Sequence, residues 1–190
     1  MNTPLFQGKL VRLLAPDPQR DATLFASWSR DDEYLRLLDS DPARLWSADK
    51  FKEWIEKDLE KEGFDECFFM IETLPSPEGQ AGRIVGVVGL EGIRWTHGDA
   101  WVGIGIGERE SWNNGYGTDA MRLIQCYAFS ELNLHRLSLT VFEYNPRAIR
   151  SYEKAGFVKE GRARNYLHRD GRRWDLIFMG FLREEWERRK

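Results

Sequence analysis

The stretch SWNNGYGTDAM, residues 111–121, holds the residues whose types and spacing most directly suggest chemistry. Gly115 and Gly117 stand just before a helical pattern, and a helix start leaves four backbone N–H groups unpaired and carries roughly half a positive charge. Without side chains at the glycines, an anion can reach those amides, so the turn suits a phosphate or pyrophosphate. It lacks the Lys-Ser/Thr ending of a nucleotide-hydrolase loop and the three-glycine spacing of a dinucleotide fingerprint. A purely structural turn is the alternative.

The strand before this turn has one face that is nearly bare backbone. In AWVGIGIGE, residues 100–108, Val102, Ile104 and Ile106 alternate with glycines. Glycine weakens a strand interior and often marks a place where a ligand or another backbone approaches closely. Two interpretations follow: the strand borders a bound molecule, or its glycine face packs against a helix.

Tyr152 and Glu91 are the side chains best suited to move protons. A tyrosine with a reference pKa of ~10 stays protonated at neutral pH and can act as a general acid. Tyr152 also shares the apolar stripe of its helix with Ile149 and Ala155, which would make it a core residue. Glu91, in GLEGI, follows a strand beside the expected cleft and would be the general base that deprotonates an attacking ammonium group. A solvated surface carboxylate is the alternative for Glu91.

The whole chain has the composition of one soluble globular domain spanning residues 1–190. It carries a net charge of −3, with 42% hydrophobic and 31% charged residues, so it has no global attraction to nucleic acid or anionic lipid. No apolar run approaches ~20 residues and the N-terminus lacks a signal-peptide pattern, so we expect no membrane partner and a cytoplasmic location. Cys67 and Cys126 lie in apolar surroundings as buried thiols, and three scattered histidines predict no metal site.

The elements of an α/β fold must position these residues. Apolar patterns predict strands at residues 9–14, 67–74, 83–93, 100–108, 137–142, 157–168 and 172–182, with an exposed hairpin loop at 75–82. They predict one or two helices within 17–38 and others over 47–63, from 118 and over 145–156. In the helix over 47–63, one apolar stripe should pack into the core: Phe51, Trp54, Ile55 and Leu59. Asp170-Gly171 predicts a hairpin, and the order of elements predicts a mixed sheet with helices on both faces.

These motifs together resemble the GNAT superfamily of N-acetyltransferases. WNNGYG, residues 112–117, is similar to the pyrophosphate signature Gln/Arg-x-x-Gly-x-Gly/Ala, with Trp112 at the Gln/Arg position. NPRAIRSYEKAGF, residues 145–157, resembles the Asn-x-x-Ala/Ser…Tyr-x-x-x-Gly-Phe element of the superfamily. DGRRWDLIFMGFL resembles the closing hairpin of the branch that acetylates ribosomal-protein N-termini (Rim-type) and spermidine or spermine. The resemblance runs from VRLL, residues 11–14, to the C-terminus and implies the GNAT fold, a mostly antiparallel sheet of about six to seven strands.

The resemblance implies direct transfer of an acetyl group from acetyl-CoA to a primary amine: a protein N-terminal α-amine, a polyamine or another small amine. The strand at Ile104 and Ile106 would hold the pantetheine arm through its main chain, and the turn amides would hold the pyrophosphate. Tyr152 would protonate the departing thiolate, and a backbone N–H would stabilise the oxyanion. The implied cofactor-binding residues, with no metal, are Ile104, Ile106, Trp112, Asn113, Asn114, Gly115, Tyr116, Gly117, Thr118, Asn145, Ser151 and Tyr152.

Other classes of function remain open at this level. A GNAT-like module that binds acyl-CoA without transferring it would keep the same motifs. A nucleic-acid-associated protein would use the arginines around the last hairpin, but charged strand edges explain them more simply and the net charge is negative. They are Arg162, Arg164, Arg169, Arg172 and Arg173. RDDE and DSD, at residues 30–33 and 39–41, offer acidic groups for a cationic substrate or are solvated loops, and exposed tryptophans leave a homodimer open.

Overall fold

A seven-stranded sheet forms the centre of the described structure. The computed structural model describes residues 5–61, 63–76 and 79–189. The strands are β1 (Val11–Leu14), β2 (Cys67–Thr73), β3 (Ile84–Arg94), β4 (Asp99–Ile106), β5 (Arg136–Phe142), β6 (Val158–Arg169) and β7 (Arg172–Leu182). Their order is β1-β2-β3-β4-β5-β7-β6, and every neighbouring pair is antiparallel except β4 with β5. The predicted mixed, mostly antiparallel sheet is confirmed.

Helices cover both faces of the sheet, as predicted. They are α1 (Pro18–Trp28), α2 (Asp32–Leu38), α3 (Ala48–Leu59), α4 (Tyr116–Cys126), α5 (Pro146–Ala155) and α6 (Arg183–Glu187). Successive residues of a strand point to opposite faces. On β2, Met70 shares a buried cluster with Phe25 of α1 and Ile55 of α3, whereas Ile71 shares a cluster with Met121 of α4 and Ala155 of α5. Helices α4 and α5 therefore lie on one face, and α1 to α3 lie on the other.

The apolar stripe predicted for α3 is only partly buried. Ile55 is fully buried, whereas Trp54 and Leu59 are 39% and 52% exposed. The helix also ends at Leu59, before the predicted end at residue 63, because the N–H of Lys61 bonds to a carbonyl three residues back and tightens the last turn. Trp54 stacks on Phe68 of β2 and meets the buried ring of Phe25 edge to face, each with 5.6 Å between ring centroids, so it packs at the margin of the core.

Two predicted hairpins are present. β2 and β3 pair antiparallel, and within the loop predicted at 75–82, Pro77 and Glu78 lie outside the described residues. β6 and β7 are joined at Asp170-Gly171, where both residues have positive φ, +52° and +73°. Positive φ at both central residues is the backbone of a type I′ turn, whose twist matches that of two antiparallel strands, and Asp-Gly adopts it readily.

β4 and β5 part soon after they meet. Residues 99–101 pair with residues 136–138, and no further pair joins the two strands in the described structure. β4 nevertheless continues to Ile106 and β5 to Phe142, so their facing edges diverge into an opening in the sheet. The chain runs from β4 into the glycine-rich turn and from β5 into α5. The first turns of α4 and α5 therefore stand beside this opening.

Candidate active site

The glycine-rich turn presents a row of unpaired amides. Gly115 caps α4 with a φ of +85°, a left-handed conformation that favours glycine, and Asn113 has a φ of +65°. Within the described part of the chain, no acceptor bonds to the backbone N–H groups of residues 113–118. The last of these amides belong to the first turn of α4, at the positive end of its dipole. The arrangement suits an anionic group such as a pyrophosphate.

The turn borders a cavity of about 210 Å³ that also touches β4 and α5. All but one of the predicted cofactor residues line this cavity: Ile104, Ile106, Trp112, Asn113, Gly115, Tyr116, Gly117, Thr118, Asn145, Ser151 and Tyr152. Asn114 is the exception, because its side-chain amide donates to the carbonyl of Glu110 (3.0 Å). The side chain of Asn114 thus stabilises the turn itself, and only its backbone N–H belongs with the unpaired amides.

The glycines of β4 have two kinds of neighbour. A methyl group on Gly105 would lie 2.7 Å from the hydroxyl of Tyr34 in α2, and one on Gly107, the residue just after β4, would clash with a tryptophan ring of α1. Helix packing therefore explains these two glycines. A methyl group on Gly103 would lie 3.3 Å from the carboxylate of Glu91, so Gly103 borders a cavity wall instead. Packing against helices thus accounts for Gly105 and Gly107, while Gly103 lies beside a cavity.

Trp112 fastens the turn to the end of β4. Its indole N–H donates to the carbonyl of Ile106 (2.7 Å), and the guanidinium of Arg147 lies 3.6 Å from the centroid of its ring. Arg147 lines the cavity, although it is not among the residues that the sequence predicts. The available signal was its place two residues after Asn145, in the first turn of α5.

Polar side chains at the start of α5 face the same cavity. Asn145 is buried and caps α5, with its side-chain oxygen accepting from the N–H of Ala148 (3.1 Å). That contact assigns the orientation of the amide and leaves its NH₂ group as a donor. The hydroxyls of Ser151 and Thr118 share a hydrogen bond of 2.8 Å, which joins α5 to the first turn of α4.

Tyr152 combines a packed ring with an available hydroxyl. The ring meets Phe157 edge to face, with 6.3 Å between centroids, and joins the partly buried margin of the core. Among the described residues, the hydroxyl has no hydrogen-bond partner, and Tyr152 lines both this cavity and a second one. Burial raises the pKa of Tyr152 to about 12, so the phenol keeps its proton at neutral pH. The ring packs at the margin of the core, and the hydroxyl makes no hydrogen bond to the described residues.

The second cavity, of about 570 Å³, lies on the glycine side of β4. It shares Ile104, Gly105, Asn145 and Tyr152 with the first cavity, so the two meet at the opening in the sheet. None of the described residues that line it is basic, and its wall is acidic and aromatic: Asp39, Asp58, Glu66 and Glu91, with Trp54, Phe68, Trp101 and Tyr166. Lys61, just outside, pairs with Asp58 (2.8 Å) and with Glu66. Four carboxylates against one ammonium favour a cationic ligand.

The surroundings of Glu91 favour its protonated form. Glu91 is exposed by accessible surface, as the alternative of a solvated carboxylate expects. Desolvation beside the cavity wall nevertheless raises the pKa of Glu91, and the negative charges of Glu66, Asp39 and Asp58 raise it further, while Lys61 lowers it. A carboxylate with a raised pKa is a stronger proton acceptor when ionised. Glu91 therefore stands in the acidic cavity with the properties that a general base requires.

The arginines of the last hairpin are largely used within the fold. Three of the five make clear contacts: Arg162 pairs with Asp175, Arg169 donates to the carbonyl of Asp39 (2.6 Å), and Arg172 lies 3.3 Å from the centroid of the Trp174 ring. Arg169 also donates to the hydroxyl of Tyr144 (2.9 Å). It thereby ties the β6–β7 turn to the segment after α2, which carries the cavity residue Asp39.

No group of three or more histidine, cysteine, aspartate or glutamate side chains in residues 5–61, 63–76 and 79–189 is arranged to hold a metal ion. Over the same ranges, no helix has both the length and the apolar character needed to cross a lipid bilayer.

Comparison with known proteins identifies the class that this fold and site define. Residues 11–158 match the acetyltransferase (GNAT) domain. The chain is 30% identical over 187 residues to the SPbeta prophage-derived uncharacterized N-acetyltransferase YokL of Bacillus subtilis (strain 168), covering 98% of both chains. It is 32% identical over 104 residues to the spermidine N(1)-acetyltransferase of Vibrio cholerae serotype O1 (strain ATCC 39315 / El Tor Inaba N16961), covering 55% of this chain and 60% of that protein.

A solved structure shares the architecture. The crystal structure of spermidine N-acetyltransferase from Vibrio cholerae in complex with CoA and spermine superposes with a TM-score of 0.79 over 93% of this chain and 98% of that one, at 24% identity. The chain belongs to the GNAT acetyltransferase family, and the predicted fold is confirmed. It is an N-acetyltransferase that moves the acetyl group of acetyl-CoA to an amine.

Proposed function

We propose that acetyl-CoA lies across the opening between β4 and β5, with its pyrophosphate on the amides of residues 113–118 and its acetyl group beside Tyr152. The observation that carries this proposal is the meeting of two cavities of opposite character at the opening. One contains the unpaired amides of a helix start, and the other is acidic. An anionic donor and a cationic acceptor would thus approach each other from opposite sides of the sheet.

The residues of the first cavity fit such a donor. A methyl group on Gly117 would make only ordinary van der Waals contact with Ile106, at 3.6 Å, so packing does not require glycine there, and its lack of a side chain suits a ligand on the turn amides. The main chain of Ile104, beyond the last β4–β5 pair, would bond the amide groups of pantetheine. The NH₂ group of Asn145 adds a donor from the α5 side. The carbonyl of Ile106 already accepts from Trp112 and keeps a second lone pair.

The two titratable side chains would divide the proton transfers between them. Bound acetyl-CoA supplies an activated acetyl group as a thioester. In its ionised form, Glu91 would accept a proton from the acceptor ammonium, directly or through water. The hydroxyl of Tyr152, which burial keeps protonated, would donate to the departing sulfur. A backbone N–H of β4 beside the carbonyl would stabilise the developing negative charge.

The acceptor that fits the second cavity best is a small amine with more than one positive charge, of the polyamine class. The four carboxylates of this cavity can pair with successive ammonium groups of such a ligand, and Glu91 is the one that lies beside Gly103. The exposed rings of Trp101 and Trp54, 41% and 39% exposed, offer cation–π contacts to the same ligand. The similarity to a spermidine N(1)-acetyltransferase supports this choice.

The test is a steady-state assay of CoA thiol release with acetyl-CoA and a panel of acceptors. We expect spermidine and spermine to give a higher kcat/KM than N-terminal peptides or amino sugars. Asp39→Asn should raise KM for the polyamines and change it little for a monoamine, while Asp49→Asn, at an exposed position outside the cavity lining, should have no effect. A neutral N-terminal peptide that exceeds both polyamines would contradict the proposal and indicate a protein substrate.

The free cysteines and the exposed tryptophans bear on the cellular location and the oligomeric state. Cys67 and Cys126 are free thiols, as is usual in the reducing cytoplasm, which we propose as the location. Among the exposed tryptophans, Trp95 is 53% and Trp46 is 36% exposed, in line with the homodimer left open from the sequence. Light scattering at two protein concentrations would test that assembly.

A further inference from the structure

A cation without a counterion stands beside the glycine-rich turn. Arg147 is half-buried and forms no ion pair or hydrogen bond within the part of the chain that the structure describes. The acidic groups whose charges reach it, Glu33 and Asp31, are already paired with Arg109, at 2.5 Å and 2.6 Å. The positive charge of Arg147 is therefore not balanced by the protein.

The position of Arg147 makes that charge still less favourable. It lies in the first turn of α5, where the helix dipole repels a cation. Burial and the neighbouring Arg109 both lower the pKa of Arg147, and an unpaired, partly buried charge destabilises a fold unless a partner binds. The compensating contact is the ring of Trp112, 3.6 Å from the guanidinium carbon. Stacking on the ring fixes the plane of the guanidinium and leaves its N–H donors unused.

We propose that Arg147 binds the pyrophosphate of the donor, in place of the Gln or Arg side chain that the signature has where this chain has Trp112. This inference rests on the proposed function. Trp112 cannot fill that place itself, because its one side-chain donor is committed to the carbonyl of Ile106. Arg147 lines the same cavity as the turn amides, and a guanidinium matches the geometry of phosphate oxygens with two parallel hydrogen bonds. The tryptophan thus serves as a platform for an arginine from another helix.

Calorimetric titration with CoA and with dephospho-CoA, which lacks the 3′-phosphate, tests the proposal. Arg147→Gln should weaken the binding of both ligands by about 10- to 100-fold, because both contain the pyrophosphate. Arg147→Lys keeps the positive charge but loses the two parallel N–H donors of the guanidinium, so it should weaken the binding of both ligands less than Arg147→Gln does. Arg122→Gln is the matched control: Arg122 is exposed on α4, outside the cavity lining, and its loss should leave both affinities unchanged.

The possible failures are distinguishable. A wild-type protein that binds neither ligand would reject the proposed function itself. A folded Arg147→Gln variant that binds both ligands as tightly as wild type would overturn only the role of Arg147. Weakening confined to CoA, with dephospho-CoA unaffected, would also overturn it, because Arg147 would then contact the 3′-phosphate. Should the Gln variant fail to fold, Arg147→Lys decides by itself: wild-type affinity for both ligands overturns the proposal.

Discussion

Replacement of Tyr152 by phenylalanine removes only the hydroxyl, so it distinguishes a catalytic role of that group from a packing role of the ring. The variant keeps the ring and its edge-to-face contact with Phe157. Within the described structure no hydrogen bond is lost with the hydroxyl, so the free energy of unfolding should change by no more than about 0.5 kcal/mol. Loss of a general acid typically lowers the rate by about 10²–10⁴-fold, which corresponds to about 2.7–5.4 kcal/mol of activation free energy. The expected effect on kcat thus exceeds the effect on stability several-fold.

The assay measures kcat by thiol release, the acetyl-CoA dissociation constant by calorimetry and the melting temperature of Tyr152→Phe beside wild type. We expect a large fall in kcat with affinity and melting temperature nearly unchanged. Because burial raises the pKa of Tyr152 to about 12, ionisation of this phenol should cause no decline of wild-type kcat between pH 7 and 10. Wild-type kcat in the phenylalanine variant across that range would refute the reasoning and leave water as the proton donor.

Three further predictions concern the donor site, the base and metals. Gly115→Asp places a negative charge and a strained left-handed residue at the cap of α4, so acetyl-CoA affinity should fall at least about tenfold; a folded variant with unchanged affinity by calorimetry would move the site elsewhere. Glu91→Gln should lower kcat at neutral pH and abolish the loss of activity as pH falls through the raised pKa of Glu91. The control Glu131→Gln, at an exposed position outside the lining of both cavities, should do neither. Because the fold favours protonated Glu91, its ionised form destabilises the protein. Glu91→Gln should therefore raise the melting temperature slightly, with a gain of less than about 1 kcal/mol in the free energy of unfolding once solvent screening is included. Turnover should survive a chelator at millimolar concentration, and activity lost on chelation and restored by one divalent ion would contradict the absence of a metal requirement.

The parts of the fold that local patterns determine were predictable from the sequence. Asp170-Gly171 forms its hairpin because the turn chemistry acts between neighbours, and Gly115 begins α4 because few other residues accept its φ. The exposure of Leu59 was not predictable, since an apolar stripe shows which side of a helix is apolar and not whether another element covers it. The residue pattern of a strand also does not reveal which strands it pairs with or for how long, so the short pairing of β4 with β5 appears only in the structure.

For the site as well, local motifs were predictable and contacts between distant segments were not. Residues 112–118 were recognisable because a contiguous motif carries them, and nearly all line the cavity. The bond from the side chain of Asn114 to the carbonyl of Glu110 was not predictable, because a motif does not reveal that a side chain bonds to its own turn. Arg147 was missed because its contact with Trp112 joins two separate helix starts, and only the folded sheet brings them together.

The divergence of β4 from β5 has a consequence for how this chain can evolve. In the proposed site, strand pairing and backbone amides hold the donor, and most single substitutions leave both intact. The acidic cavity is different, because Asp39, Asp58 and Glu66 come from separate segments and can each be exchanged by one mutation. New acceptors can therefore be tried without loss of the shared acetyl source. A lineage built on this sheet can change what it modifies while the chemistry of modification stays constant.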